Sequence, residues 1–240
     1  MTGAEKLAAA AKSGRLLVKI CGMKTLEDAR FAVDRGADAL GFVFWYMSPR
    51  RLEPTLAAAI SAELPKSVLR VGVFVDAPRE EFERTADAVG LDLLQLHGEE
   101  PPEALVGLSR PALKAVRVGP KFTAEEALRY SQTAAGIVVD TRLPGETQLP
   151  GGTGVAFDWS LVADLASRVP FLMLAGGLSP ANVAAAVREV RPHAVDVSSG
   201  VERMPGRKDP ERVAAFIEAA RTAEAELGPA PRSAARSESR

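Results

Sequence analysis

Residues 16–28 read Leu-Leu-Val-Lys-Ile-Cys-Gly-Met-Lys-Thr-Leu-Glu-Asp, a short apolar run that stops at a glycine and precedes the start of a helix. The apolar residues before Gly22 predict a buried β-strand. Thr25 and Asp28 have the spacing of a helix-opening capping arrangement. The stretch therefore predicts one strand–loop–helix unit.

The same unit recurs along the whole chain. The predicted strands are residues 16–20, 39–45, 68–75, 92–96, 112–118, 136–140, 171–175 and 194–198. Each is a nearly continuous apolar run, as expected for parallel strands that are covered on both faces. Eight such units predict an α/β protein with a single (β/α)8 TIM barrel. A doubly wound open sheet is the alternative, but it more often has fewer strands and a glycine-rich fingerprint after the first, which is missing here.

The predicted helices follow the strands, and those after the fourth and sixth strands are placed at residues 101–108 and 158–166. The barrel is expected to be one domain over residues 15–227. Residues 1–14 precede the first strand and are interpreted as an N-terminal extension. Residues 228–240 have the polar, proline-broken composition of a flexible tail.

Composition narrows the possible functions. The chain has 30 basic and 31 acidic residues, a balance that argues against a nucleic-acid partner. One cysteine and two histidines exclude an internal disulfide and a Cys-rich or multi-histidine metal centre. No apolar stretch approaches the length of a membrane span or of a secretory signal, so we expect no membrane partner and a cytoplasmic location.

Chemically capable side chains fall at the ends of the predicted strands, where a barrel of this type builds its active face. Cys21 ends the first strand and Asp140 the sixth, a potential base and a potential acid at equivalent positions. Together they suggest proton-transfer chemistry. Arg50 follows the second strand, His97 the fourth, and Asp196 lies near the end of the eighth.

Two glycine-containing endings follow the seventh and eighth strands. Gly176 and Gly177 form the first, and Ser199 and Gly200 belong to the second. Glycines at these two places let backbone N–H groups approach a phosphate closely, so both endings predict phosphate binding. Residues 141–157 form a long segment without helix or strand signal, and its glycines at 151, 152 and 154 favour a closing lid over a tolerated surface insertion.

An ordered series of motifs is similar to a known family. The stretches that carry it are Val18-Lys19-Ile20-Cys21-Gly22, residues 36–44 (GADALGFVF), Ser48-Pro49-Arg50, Gln95-Leu96-His97-Gly98, Gly151-Gly152-Thr153-Gly154 with Phe157-Asp158-Trp159, and residues 195–202 (VDVSSGVE). Over residues 16–220 they resemble phosphoribosylanthranilate isomerase. The resemblance implies a (β/α)8 barrel that carries out the Amadori rearrangement of phosphoribosylanthranilate in tryptophan biosynthesis, without a cofactor or metal.

The resemblance also implies roles for individual residues. Cys21 falls on the family's general base, Asp140 on its general acid, and Arg50 on the arginine that holds the anthranilate carboxylate. His97 and Asp196 are expected to lie beside the substrate. The expected phosphate ligands are the residues of the two glycine endings, Gly176, Gly177, Ser199 and Gly200. The expected partner is the phosphosugar–anthranilate substrate, and the chain is expected to be a monomer or homodimer.

The chain departs from the family pattern at residues 45–47 (Trp-Tyr-Met) and at Val155. These departures fall where the family builds the anthranilate pocket and the lid, so the shape of both is expected to differ from the family pattern.

Three rival functions stay open. A related histidine-pathway isomerase runs the same rearrangement with two aspartates, which Cys21 disfavours. A metal-dependent pentose-phosphate epimerase is disfavoured by the shortage of histidines. A non-catalytic barrel that only binds phosphosugars is the third.

The two reacting groups need particular surroundings. A free thiol has a pKa of about 8.5, so a thiolate at neutral pH needs a nearby positive charge or dipole. An ordinary aspartate has a pKa of about 3.9 and keeps its proton only if it is desolvated or beside a like charge. Lys19 lies two residues before Cys21 and shares its face of the strand, so we expect it to lower the pKa of the thiol.

Overall fold

Eight parallel strands form a closed barrel in this structure, which is a computed structural model that describes residues 2–141 and 157–228. The strands are β1 (Leu17–Cys21), β2 (Ala39–Val43), β3 (Leu69–Phe74), β4 (Leu93–Leu96), β5 (Ala112–Val118), β6 (Gly136–Thr141), β7 (Leu172–Leu174) and β8 (Ala194–Val197). Each strand pairs with its neighbours in chain order, and β8 pairs with β1. The predicted (β/α)8 barrel is confirmed, and all carboxyl ends meet at one rim.

Seven α-helices are described. They are α1 (Gly3–Ser13), α2 (Leu26–Asp34), α3 (Pro54–Ala62), α4 (Arg79–Val89), α5 (Ala124–Leu128), α6 (Val183–Val190) and α7 (Pro210–Leu227). The hydroxyl of Thr25 accepts a hydrogen bond from the backbone N–H of Asp28, so the predicted N-terminal cap of α2 is present. The central part of the predicted lid, residues 142–156, and residues 229–240 of the predicted tail lie outside the described residues.

The connections after β4 and β6 differ from the prediction. In place of α-helices they contain the 3-10 helix Pro102–Leu105 and the 3-10 helices Trp159–Val162 and Leu165–Ser167. After β6, the buried residues Val162 and Leu165 are three positions apart. They belong to two separate 3-10 helices, each of which contributes one buried side chain to the apolar cluster around the barrel.

A buried ion pair fixes the short connection after β4. The ammonium group of Lys114 lies 2.8 Å from Glu100 and donates to the carbonyl of Gly98 at 2.5 Å. The hydroxyl of Tyr130 donates to the carbonyl of Glu100 at 2.9 Å. These contacts hold the segment that carries His97, although this segment lacks the support of a full helix.

The amino-terminal part of the barrel interior is apolar. Its side chains are those of Leu17, Ala39, Leu69, Val71, Leu93, Leu113, Ala115, Val138, Phe171, Met173 and Ala194, and the same cluster extends to Ala175 at the carboxyl end of β7. They lie at alternate strand positions, which is the two-residue period of a strand whose side chains face alternately inward and outward. A second, larger apolar cluster packs the outside of the barrel against the helices.

Helix α1 lies across this amino-terminal end. It begins with a capping box of Thr2 and Glu5, and its Leu7 and Ala10 belong to the interior cluster. No structure was predicted for the N-terminal extension. Its amphipathic helix covers apolar residues that would otherwise face water at the bottom of the barrel. Among the described helices, none is long and apolar enough to cross a bilayer.

We expect Leu7→Ala to lower the free energy of unfolding by about 2–5 kcal/mol, since it removes a buried side chain from a packed cluster. The rate per folded molecule is expected to stay unchanged because α1 lies at the end of the barrel opposite the predicted site. Urea denaturation measures the first quantity and a steady-state assay the second. Lys12→Ala, on the exposed side of the same helix, is the control. A wild-type unfolding midpoint in Leu7→Ala would show that α1 does not support the barrel.

Candidate active site

Polar side chains replace the apolar filling toward the carboxyl-end rim. Lys19 and Cys21 of β1, Gln95 of β4, Asp140 of β6 and Asp196 of β8 are all buried. Lys19 and Cys21 continue the alternation that places Leu17 in the interior cluster. Ionisable groups in such a position are costly to bury without partners, so their contacts define the site.

Lys19 and Asp196 form an ion pair across the seam between β1 and β8. They are register partners, and Lys19 Nζ lies 2.9 Å from Asp196 Oδ2. Burial alone lowers the pKa of Lys19, but the charge of Asp196 and then that of Cys21 outweigh it, so the pKa lies above its ordinary value. Asp196 Oδ1 is buried and forms no hydrogen bond with any part of the chain that the structure describes.

Cys21 is a buried free thiol that packs with Val43, Val73 and Trp45. An added Cβ at Gly41 would lie 2.6 Å from its sulfur, so the thiol occupies space that this glycine leaves open. Burial raises the pKa of Cys21, and the positive charge of Lys19 opposes this without overcoming it. Lys19 therefore lowers the pKa of the thiol as expected, but desolvation raises that pKa by more. The resting thiol is protonated at neutral pH.

Asp140 meets His97 on the other side of the rim. His97 Nε2 lies 3.0 Å from Asp140 Oδ2, although the two groups are not aligned for a hydrogen bond. The amide nitrogen of Gln95 lies 3.2 Å from His97 Nδ1. With the amide in this orientation Nδ1 accepts, so a neutral imidazole carries its proton on Nε2, facing Asp140.

The two glycine endings touch each other. Gly176 and Gly177 both have positive φ, and an added Cβ at Gly176 would lie 2.4 Å from the backbone nitrogen of Thr141 and 2.8 Å from Asp140 Oδ1. An added Cβ at Gly200 would lie 2.0 Å from the carbonyl oxygen of Leu178. Only glycine permits both approaches, so the predicted phosphate-binding endings lie side by side, with Ser199 in the 3-10 helix Ser199–Val201.

Arg50 is held by a residue that the sequence analysis did not assign. Its guanidinium donates to both carboxylate oxygens of Glu202, with Nη2 at 2.7 Å from Oε2 and Nε at 3.0 Å from Oε1. Glu202 also accepts from Lys208 at 2.9 Å. No group of three or more His, Cys, Asp or Glu side chains among residues 2–141 and 157–228 is arranged to hold a metal ion.

Comparisons with known proteins identify the family. Residues 18–219 match the family model for N-(5'-phosphoribosyl)anthranilate (PRA) isomerase. The chain is 50% identical over 205 residues to the N-(5'-phosphoribosyl)anthranilate isomerase of Pseudomonas putida, covering 85% of this chain and 97% of that protein. The chain belongs to the N-(5'-phosphoribosyl)anthranilate isomerase family.

Solved structures of family members have the same fold. The crystal structure of phosphoribosylanthranilate isomerase from Thermotoga maritima matches with a TM-score of 0.79 and 45% identity, over 86% of this chain and 99% of that one. The protein from that organism is described as dimeric. A family member in complex with reduced 1-(o-carboxyphenylamino)-1-deoxyribulose 5-phosphate matches with a TM-score of 0.76 and 43% identity, over 86% and 99% of the two chains.

In this isomerase-family chain, the structure places every residue of the sequence-based site at or near the carboxyl-end rim. Cys21 and Asp196 are joined through Lys19, and Asp140 contacts both His97 and Gly176. Sequence reasoning missed Gln95, Glu202 and Lys208 as members of the site. The last two follow the eighth strand in a stretch that reads as a turn, and no spacing in the sequence connects them with Arg50.

The raised pKa of Cys21 predicts slow alkylation at neutral pH. We expect the rate of reaction with iodoacetamide to rise with pH through an inflection above that of an ordinary thiol, about 8.5, because only the thiolate reacts. Cys21 is the only cysteine, so mass spectrometry of the whole protein reports on it alone. The same titration on urea-unfolded protein is the control, and an inflection in the folded protein below the unfolded one would contradict the dominance of burial over Lys19.

Proposed function

We propose that this barrel catalyses the Amadori rearrangement of N-(5'-phosphoribosyl)anthranilate to 1-(2-carboxyphenylamino)-1-deoxyribulose 5-phosphate in tryptophan biosynthesis. The observation that carries the proposal, beyond family membership, is the pair of reactive groups at one rim. A buried thiol lies beside a lysine, and a buried carboxyl group lies beside an imidazole. One group can accept a proton while the other donates one, without a metal or cofactor.

In the proposed mechanism, Asp140 is the general acid. It donates a proton to the ribose ring oxygen as the bond between that oxygen and C1 breaks, and the lone pair of the anthranilate nitrogen forms the C1=N bond of a Schiff base. Burial of Asp140 and the neighbouring His97 keep water away from this proton transfer. Each positioned transfer of this kind contributes about 10²- to 10⁴-fold to the rate.

Cys21 is the proposed general base. As a thiolate it removes the proton from C2, and the electrons of that C–H bond form the C1=C2 bond of an enolamine while the nitrogen becomes neutral. The enolamine then tautomerises to the ketose. Lys19 compensates the charge of the thiolate during this step. Because the pKa of Cys21 is raised, only a small fraction of the thiol is ionised at neutral pH, but the thiolate that forms is a strong base.

The remaining residues would bind the substrate. The glycine endings offer backbone N–H groups for the phosphate at Gly176, Gly177, Ser199 and Gly200. Asp196 Oδ1, which has no hydrogen bond to the described chain, is available to a ribose hydroxyl. Arg50 would hold the anthranilate carboxylate, and His97 would lie beside the sugar. We also propose that the chain is a monomer or homodimer, since a relative at 44% identity is described as dimeric. We propose a cytoplasmic location because a phosphorylated, charged substrate is confined to the compartment in which it is made.

Two variants test the acid and the base separately. We expect Cys21→Ser and Asp140→Asn each to lower kcat by at least about 10²-fold, because each removes one positioned proton transfer. Their Kd for the reduced product, measured by calorimetry, is expected to stay within a few-fold of wild type. Turnover is followed as loss of substrate fluorescence. Asp87→Asn, an exposed aspartate on α4 paired with Arg110, is the matched control.

Each result assigns a function. A wild-type kcat in either variant would show that the residue does not have the proposed role. Saturable binding of substrate by the wild-type protein without conversion would support the non-catalytic barrel instead. Comparable kcat/KM for the histidine-pathway substrate would support the related isomerase.

A further inference from the structure

A small hairpin after β8 lies against the loop that carries Arg50. Its strands are β9 (Glu202–Met204) and β10 (Arg207–Lys208), and they pair antiparallel. At the turn, Gly206 has positive φ, and an added Cβ there would lie 2.9 Å from the side chain of Lys24 and 3.2 Å from the carbonyl of Pro49. The hairpin is therefore closely docked beside Arg50.

Glu202 engages one edge of the Arg50 guanidinium. Its carboxylate accepts from Nε at 3.0 Å and 3.2 Å and from Nη2 at 2.7 Å. This uses the Nε–Nη2 edge of the planar group. The Nη1–Nη2 edge keeps its N–H donors, and Nη1 forms no hydrogen bond with residues 2–141 or 157–228. A free guanidinium edge matches the geometry of a second carboxylate.

Lys208 balances the charge of Glu202. Lys208 is 2% exposed, its ammonium lies 2.9 Å from Glu202 Oε1, and it also donates to the carbonyl of Ser198 at 3.2 Å. Burial would raise the pKa of Glu202, but hydrogen bonds from Arg50 and the charge of Lys208 hold it below its ordinary value, so Glu202 is ionised. Burial lowers the pKa of Lys208, and the charge of Glu202 opposes this. With Arg50 and Lys208 both protonated, the two cations and one carboxylate carry one net positive charge.

We propose that Glu202 and Lys208 are positioning residues for recognition of the substrate's aromatic carboxylate. Glu202 fixes the Arg50 guanidinium by one edge and leaves the other edge for a bidentate pair with that carboxylate. Lys208 cancels the charge of Glu202, which would otherwise repel the incoming carboxylate across the guanidinium. The inference rests on the proposed function and adds a second layer of residues to its carboxylate site.

A pair of probes isolates this role. Reduced 1-(o-carboxyphenylamino)-1-deoxyribulose 5-phosphate carries the carboxylate, and reduced 1-phenylamino-1-deoxyribulose 5-phosphate lacks only that group. The ratio of their Kd values, measured by calorimetry, reports on carboxylate recognition and is insensitive to phosphate and sugar binding. We expect the wild-type protein to prefer the carboxylated probe on the order of 10- to 100-fold, as for charge-assisted hydrogen bonds.

The variants are Glu202→Gln, Lys208→Met and the double variant that combines them. We expect each to reduce the preference at least about fivefold, while the Kd of the probe without a carboxylate changes less than about twofold. Steady-state kinetics on the full chain is expected to show a larger rise in KM than fall in kcat for Glu202→Gln. The double variant removes both buried charges together, so it keeps the test valid if a single variant fails to fold.

The control is Glu53→Gln, which disrupts the exposed ion pair between Arg51 and Glu53 in the same loop region. It is expected to keep the wild-type preference. A folded Glu202→Gln or double variant with a wild-type Kd ratio would overturn the inference while leaving the proposed function intact. Failure of the wild-type protein to bind either probe or to turn over the substrate would overturn the proposed function itself, and the inference with it.

Discussion

The ion pair between Lys19 and Asp196 is the interaction on which the arrangement of the site depends. It joins β1 to β8, the two strands that close the barrel. The two buried charges are stable only when they contact each other, since a buried ion without its partner destabilises the folded state by about 3–5 kcal/mol. A shift of either strand by one residue would turn its charged side chain to the outer face and leave the other charge buried without its partner. The pair therefore selects the register that also brings Cys21 to the rim.

Closure of the barrel divides it into two functional ends. The amino-terminal end is filled by apolar side chains and covered by α1, and it supplies burial and stability. The carboxyl-terminal end holds ionisable groups whose surroundings set their protonation. Because the strands are parallel, the two ends are separated along every strand, and the polar site can vary without exposing the apolar core.

Desolvation sets the character of the proposed base. A lysine beside a cysteine is expected to favour the thiolate, yet Val43, Val73 and Trp45 remove water from Cys21 and raise the pKa of its thiol. The positive charge of Lys19 lowers the pKa of the Cys21 thiol, and burial raises it. The result is a thiol that rests protonated in the structure and whose conjugate base is strong.

The barrel was predictable because its evidence is local. The strand β5 was predicted with the same bounds, and the other strands differ by one or two residues at their ends. The connections after β4 and β6 were wrongly predicted as α-helices, because their helical segments are only about one turn long and packing against the barrel decides the helix type. Helix α1 was missed because its apolar residues acquire a partner only when the bottom of the barrel is formed.

The sequence by itself determined which residues stand at strand ends, since a period of two and a glycine turn are properties of short stretches. That was sufficient to place Cys21, Asp140 and both glycine endings at one rim. Only the tertiary structure decided what surrounds them. Lys19 meets Asp196 across 177 positions of chain, and Arg50 meets Glu202 across 152. Contacts over such separations arise from barrel closure, so no local pattern of residues encodes them.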